Sequence, residues 1–456
     1  MKILIIFIKF VFILFFSLQL TAFPQEKDSA KFLIDGNIRY RFENWNGMNM
    51  LNFGDDSENA LGSLKDNLLL QRIIFGFKYR SSKNLTFSFH IQDSRAFGWS
   101  LRNSLLPDAF KISPTGKTNP YYKMNPNEVY FEIYDFNFLV TKLLNNIDFI
   151  IGRQKISLSD YRIFGPGDWG NSGRWTWDAL RGSYKSDKLD LDFWIGGTRT
   201  NYPDRTTLPF TYDEYFGGGI YGTYKLIKDL TIEPYFARKQ QGNADYVKDL
   251  SINRNWIGVR FAHNNFLNTI AEGNYVREFG RENGKSIRAF GLFLKLGYQV
   301  KLMENLFILS LRYSYASGGN KNDPIIQTFD PVYGASDKYY GWMNLVKWSN
   351  LDDREIVFEV FKQKSLWVEI KYNQFRIPSP ETAVINGTLK LKPGSNYLGS
   401  EFDIYTKYNW KDFLQFVLAF GYFNPGDVQP INNKIPDPAL MFSFQLLYNF
   451  SYELRF

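Results

Sequence analysis

From Phe442 to Phe456 the chain alternates strictly: Phe442, Phe444, Leu446, Tyr448, Phe450, Tyr452, Leu454 and Phe456 fall on one face of a strand. Ser443, Gln445, Asn449, Ser451, Glu453 and Arg455 fall on the other, so one face suits lipid and the other suits water. Similar alternating segments of roughly ten residues, the length a tilted membrane strand needs, recur along the chain. Eight short polar breaks between them read as tight turns: 81–84, 142–146, 186–188, 227–229, 263–265, 301–305, 363–365 and 409–412. Longer stretches rich in Gly, Pro, Asn and Asp alternate with these turns, at 45–66, 95–126, 157–174, 200–215, 241–253, 279–285, 318–353, 376–398 and 424–438. The rhythm predicts an all-β chain, a transmembrane antiparallel β-barrel with short periplasmic turns and long extracellular loops. Eight hairpins plus a first strand at Phe32 to Glu43 and the last strand give about eighteen strands, with about sixteen as the alternative. In hydrocarbon no sheet edge can stay open, so the last strand is expected to pair with the first.

The start of the chain fits a secreted protein. Lys2 and Lys9 accompany an apolar run from Phe10 to Leu20, then Thr21 and Ala22, so residues 1–22 are expected to be a cleaved signal peptide. Residues 23–31 then form a short periplasmic segment, and 32–456 a single barrel. That segment is too short for a plug domain, so the lumen is expected to be open or filled by inward-folded loops.

Composition agrees. Hydrophobic residues make up 44% and aromatic ones 18% of 456, as expected where a polar lumen dilutes an apolar outer face and aromatics gather in interfacial girdles. Cysteine is absent, which removes disulfides, thiolate catalysis and zinc-thiolate sites, and no cofactor or metal site is expected. The formal charge of +8 comes without basic runs or recognition-helix patterns, so it does not point to nucleic acid.

Strand phase assigns the lumen. Phe32, Ile34, Ile38, Tyr40 and Phe42 share one face, which leaves Asp35, Asn37, Arg39, Arg41 and Glu43 inward. The same rule turns Arg72, His90, Gln92, Arg181, Lys225, Arg260, Lys295, Arg312, Lys371 and Lys407 to the lumen, together with Glu132, Asp190, Asp192, Glu233, Glu272, Glu359, Glu369, Glu401, Asp403 and Glu453. One reading is a cross-strand ion lattice that stiffens the wall. The other is a constriction at which Arg72, Arg153, Arg181, Arg260 and Arg312 favour carboxylate or phosphate.

The segment Gly152 to Tyr184, GRQKISLSDYRIFGPGDWGNSGRWTWDALRGSY, is the most distinctive. It resembles the signature of the alginate export family of outer-membrane barrels: Gly152, Arg153 and Gln154, then Arg162, Trp169 and Arg174 in a loop, then Asp178, Ala179, Leu180 and Arg181. The alternating C-terminal strand ending in Phe456 similarly resembles the sorting signal of bacterial outer-membrane barrels. The resemblance implies a channel of about eighteen strands that exports anionic polysaccharide through an arginine-rich lumen. It further implies that Arg153 and Arg181 contribute to an electropositive constriction, that Arg174 and Asp178 brace the loop, and that the barrel-assembly machinery is a partner.

The expected function is an outer-membrane channel for anionic solutes or an acidic polysaccharide. The alternative is a general porin or a structural or adhesive barrel with ligand-binding loops. The glycine-rich loop 157–174 is a candidate gate, and Tyr333, Tyr339, Tyr340, Trp342 and Trp348 read either as a sugar-stacking surface or, preferentially, as a packed loop with girdle aromatics. An embedded hydrolase is disfavoured: His90 and His263 are the only histidines, and no G-x-S-x-G elbow is present. His263 is expected in a periplasmic turn.

Overall fold

The computed structural model describes residues 31–48, 64–97, 111–112, 121–122, 129–144, 146–167, 169–170, 173, 175–200, 205–244, 251–320, 322–334, 339–363, 365–380, 391–429 and 437–455. The expected signal at 1–22, Arg174 and the terminal Phe456 lie outside these residues. Among the described residues, eighteen long antiparallel strands close into one barrel and no helix occurs. They are β1 Lys31–Met48, β2 Leu64–Ser82, β3 Leu85–Phe97, β4 Val129–Leu144, β5 Ile147–Lys155, β6 Thr176–Lys185, β7 Leu189–Arg199, β8 Asp213–Ile227 and β9 Leu230–Gln241. The second half comprises β10 Ile252–Phe266, β11 Thr269–Glu282, β12 Lys285–Leu302, β13 Asn305–Ala316, β14 Leu351–Lys362, β15 Leu366–Arg376, β16 Tyr397–Trp410, β17 Leu414–Pro425 and β18 Ala439–Arg455.

Each strand pairs with its sequence neighbours, and the seam closes as the alternation predicts. Lys31 to Asn46 of β1 runs against Leu440 to Arg455 of β18, with Ile38 opposite Tyr448 and Phe42 opposite Phe444. Closure removes both sheet edges, which hydrocarbon would leave unsatisfied. The pleat sorts the side chains as period two demands: Tyr40, Phe42, Phe75, Phe442, Phe444 and Tyr448 are exposed on the outer face, while Arg39, Arg41, Glu43, Arg72, Ser443 and Gln445 are buried inside.

One end of the barrel carries only tight turns. Asp229, Asn268, Met303, Gln363 and Lys411 sit in or beside them with positive φ, the left-handed conformation that lets two antiparallel strands reverse in a few residues. Two expectations about these reversals are corrected. The segment 279–285 is no long loop: β11 runs to Glu282, β12 starts at Lys285, and Asn283–Gly284 makes a two-residue turn with φ of 48° and 80°. Asn-Gly suits such a turn, because both central residues need positive φ. His263 is in no turn either. It lies within β10, opposite Ala271, because that strand continues to Phe266 and reverses at Leu267 and Asn268.

Candidate functional site: a lumen crossed by two loops

The loop between β13 and β14, residues 317–350, crosses the interior. Its near part is held by β9, β10 and β11: Lys239 Nζ reaches Asp330 Oδ2 at 2.8 Å, Trp256 Nε1 donates to Asp330 O at 2.9 Å, and Asp330 N donates to Glu278 Oε2 at 2.8 Å. Its far part is held by β15 and β16. Trp342 lies flat on Tyr405, with centroids 3.9 Å apart, and its Nε1 donates to Glu369 Oε1 at 2.9 Å. The amides of Trp342 and Met343 donate to Asp403 and Glu401. Burial raises the pKa of the Asp330 carboxyl, but Lys239 and Arg254 outweigh it and hold the group below the usual carboxylate range. Tyr333, Tyr340, Trp342 and Trp348 are all buried, so these aromatics form a packed loop and not an open stacking surface.

The loop between β5 and β6, residues 156–175, crosses from a second direction. Phe164 packs edge-on against Trp194, Tyr221 and Tyr235 from β7, β8 and β9. Further along, Arg41 Nη1 donates to Trp169 O at 2.6 Å and Arg39 Nη2 to Gly170 O at 3.2 Å, both from β1. The Arg41 guanidinium also stacks 4.4 Å from the Trp169 ring centroid. The two loops meet in mid-lumen. Gly165 N donates to Tyr333 O at 3.0 Å, Trp175 Nε1 donates to Gly334 O at 3.1 Å, and Trp169 meets Trp342 edge-on at 5.5 Å. Arg162 sits between the Phe293 ring on β12 and the Tyr339 ring, 3.5 and 4.1 Å from their centroids, with Asp160 at 2.8 Å. Sequence reading singled out Arg162 and Trp169 but had no signal for these ring partners, which lie more than a hundred residues away.

Among the described residues many wall cations are held in ion pairs. Arg181 meets Asp192 at 2.5 Å, and Arg260 bridges Glu233 at 2.6 Å and Glu272 at 2.8 Å. Arg312 reaches Glu359 at 2.8 Å and Glu369 at 3.8 Å, and Lys295 reaches Glu359 at 3.9 Å. Arg254, Glu278 and Glu282, which sequence reading passed over, add a further ion cluster beside Asp330. A different arrangement marks β1 and β2: Arg39 stands directly opposite Arg72, and Arg41 follows two residues on along the same inward face. Glu43 meets Arg41 at 2.6 Å. Like charges placed directly opposite are unfavourable in a sheet. Here the wall gathers three guanidiniums and the Glu43 carboxylate over successive inward positions of β1 and the facing position of β2.

The alginate export family model matches residues 36–432. The chain belongs to the alginate export family. No curated protein matches it. The solved structures it is similar to include the outer membrane protein OpdK of Pseudomonas aeruginosa, at 11% identity and a TM-score of 0.57, over 93% of this chain and 99% of that one. OccAB2 of Acinetobacter baumannii is similar at 11% identity and a TM-score of 0.57, over 92% and 98%. These likenesses support the barrel fold, and the family places this alginate export barrel in the bacterial outer membrane as a channel protein.

In this alginate export family member the segment Gly152 to Tyr184 folds into a rim clamp. Gly152, at φ 121°, forms a kink in β5 where a Cβ would lie 2.1 Å from Phe136 O. Beyond it Arg153 is 0% exposed. Its guanidinium binds Asp178 in a fork, at 2.7 and 2.8 Å, and donates to Glu132 Oε1 at 3.1 Å and to Thr207 O at 2.8 Å. Glu132 in turn accepts from Thr207 N and Oγ1, and Asp178 accepts from Phe210 N at 2.9 Å. Arg153, expected at the constriction, is therefore enclosed and anchors the 205–212 loop. Among the described residues Asp178 braces that loop through Phe210 N.

His90 is buried on the inward face, with Nε2 at 3.0 Å from Asp35 Oδ1 and Nδ1 at 3.6 Å from Asp135 Oδ2. Its partners are carboxylates, which orient and hold the ring, and neither Ser88 nor Ser94 is among them.

Proposed function

We propose that this barrel passes anionic solutes, short acidic saccharides among them, across the outer membrane, with Arg39, Arg41 and Arg72 forming the anion-attracting level. The single observation that carries the reading is the direct opposition of Arg39 and Arg72 beside Arg41. Guanidiniums so placed favour planar carboxylates through paired hydrogen bonds. Arg162, Arg181, Arg260, Lys295 and Arg312 all serve to bind carboxylate partners. The family match supports passage of an acidic sugar polymer. A solved neighbour, OpdK with vanillate, supports small carboxylates as solutes of barrels of this shape. The barrel is inserted by the assembly machinery through β18.

The interlocked loops favour a second reading, a barrel sealed for structural or adhesive duty. Current recordings separate the two. A short uronic-acid oligosaccharide added to single channels should block current in flickers, and Arg39→Gln with Arg72→Gln should shorten each block about tenfold. Absence of current, or block that ignores both substitutions, would overturn the anion reading.

A further inference from the structure

The outer face of the barrel carries a second feature, at the loop end and outside the lumen. Along β14 to β17 the outward side chains form rows fixed by strand register. Ile356, Tyr372, Phe402 and Tyr422 stand opposite one another in one row, and Arg354, Gln374, Ser400 and Asn424 in the next. The change from apolar to polar over two residues, roughly 7 Å, marks where the hydrocarbon ends. Arg354 is engaged by Asp352 at 3.3 Å.

Immediately beyond that row a hollow of about 610 Å³ opens, lined by Gln374, Arg376, Lys392, Ser395, Tyr397 and Asp427 among others. Arg376 continues the outward face of Tyr372 and Gln374. Tyr397 reaches the same face only because the β15 to β16 register slips between Phe375 and Arg376. Without that bulge it would share the inward phase of Glu401 and Asp403. Gly399 makes the slip possible with φ 152°, and a Cβ there would lie 2.5 Å from Asn424 O. The Arg376 guanidinium lies 5.9 Å from the Tyr397 ring centroid. Its Nη2 approaches Gln374 Oε1 at 3.5 Å, and its buried Nε has no hydrogen-bond partner among the described residues. The Asp427 carboxylate already accepts from Ser395 Oγ at 2.8 Å, and the Lys392 amide donates to Asp427 O at 2.8 Å, so the hollow has a fixed floor.

We infer that this hollow binds the phosphorylated headgroup of an outer-leaflet glycolipid. It lies outside the barrel, one row beyond the lipid-facing band, where headgroups reside. It offers a guanidinium that grips phosphate in a fork, a lysine as a mobile point charge, and a tyrosine suited to the interface. A phosphate monoester carries between one and two charges, and Arg376 with Lys392 against the single Asp427 carboxylate leaves the hollow net positive to receive it.

The test is native mass spectrometry of the full chain in detergent with diphosphorylated lipid A, with the same lipid stripped of phosphate, and with inorganic phosphate as competitor. The intact chain should retain the diphosphorylated lipid, and Arg376→Gln and Lys392→Gln should each weaken retention about fivefold. The stripped lipid should bind no better than it does to the double variant. Equal retention by the chain and both variants would overturn the site. Displacement by millimolar inorganic phosphate would overturn its assignment to a lipid. Folding is verified by heat-modifiable gel mobility, and because Lys392 is exposed in a loop, its variant carries the test if Arg376→Gln does not fold.

Discussion

Arginine plays opposite parts in this barrel according to what surrounds it. Arg153 is enclosed by Asp178 and Glu132, and its removal would leave two carboxylates without compensation. Breaking a buried ion pair in this way typically costs about 3–5 kcal/mol. Arg153→Met is therefore expected to lower the urea midpoint of the folded barrel sharply, while surviving channels keep the ion preference of the intact chain. Arg153→Lys should recover only part of the loss, because one ammonium cannot reproduce the fork on Asp178. Arg72 is the converse case. It stands opposite Arg39 on the inward face, so Arg72→Gln removes one of the three positive charges gathered there. Anion preference should fall, with a smaller loss of urea stability than Arg153→Met brings. A loss of stability comparable to that of Arg153→Met would show Arg72 to be an anchor and not a lumen charge.

At the scale of elements, the two lumen loops depend on a few anchors, and one is sensitive to acid. Asp330 has a folded-state pKa below its ordinary value of 3.8, so its contribution is full above that value and is lost as pH falls through the depressed one. Pepsin cleavage within 317–334 should accordingly begin only below about pH 3.8, and cleavage already at pH 5 would contradict the Lys239–Asp330 anchor. Trp342 anchors the other end. Trp342→Ala removes both the stack on Tyr405 and the bond to Glu369, and the larger opening should raise single-channel conductance.

The strands were legible because each is decided locally. Alternation places Phe442, Phe444 and Tyr448 outward and Ser443 and Gln445 inward before any partner is known. The loops were not. Residues 317–350 show their aromatics in the sequence, but whether Trp342 meets solvent or Tyr405 depends on a strand some sixty residues away. Asn283–Gly284 carried a readable hairpin signal that the neighbouring charged residues obscured, and β10 outran its expected turn to reverse only at Leu267 and Asn268. Arg153 misled for a related reason: the loop that covers it, 205–212, leaves no trace in its own segment.

Taken as a molecule, the barrel joins an ion-laced wall, two crossing loops and a level of arginines on β1 and β2. Ion pairs such as Arg260 with Glu233 and Glu272 offset much of the lumen charge, and the proposed solute preference is assigned to Arg39, Arg41 and Arg72, of which Arg41 also meets Glu43. The same level contacts the 156–175 loop at Trp169 and Gly170, which places the charge where that loop narrows the path. The most direct measurement is the zero-current potential of single channels in a planar bilayer under a tenfold potassium chloride gradient. A potential of the sign set by chloride is expected; a potential of the sign set by potassium, or no conductance at all, would overturn the anion-passing channel.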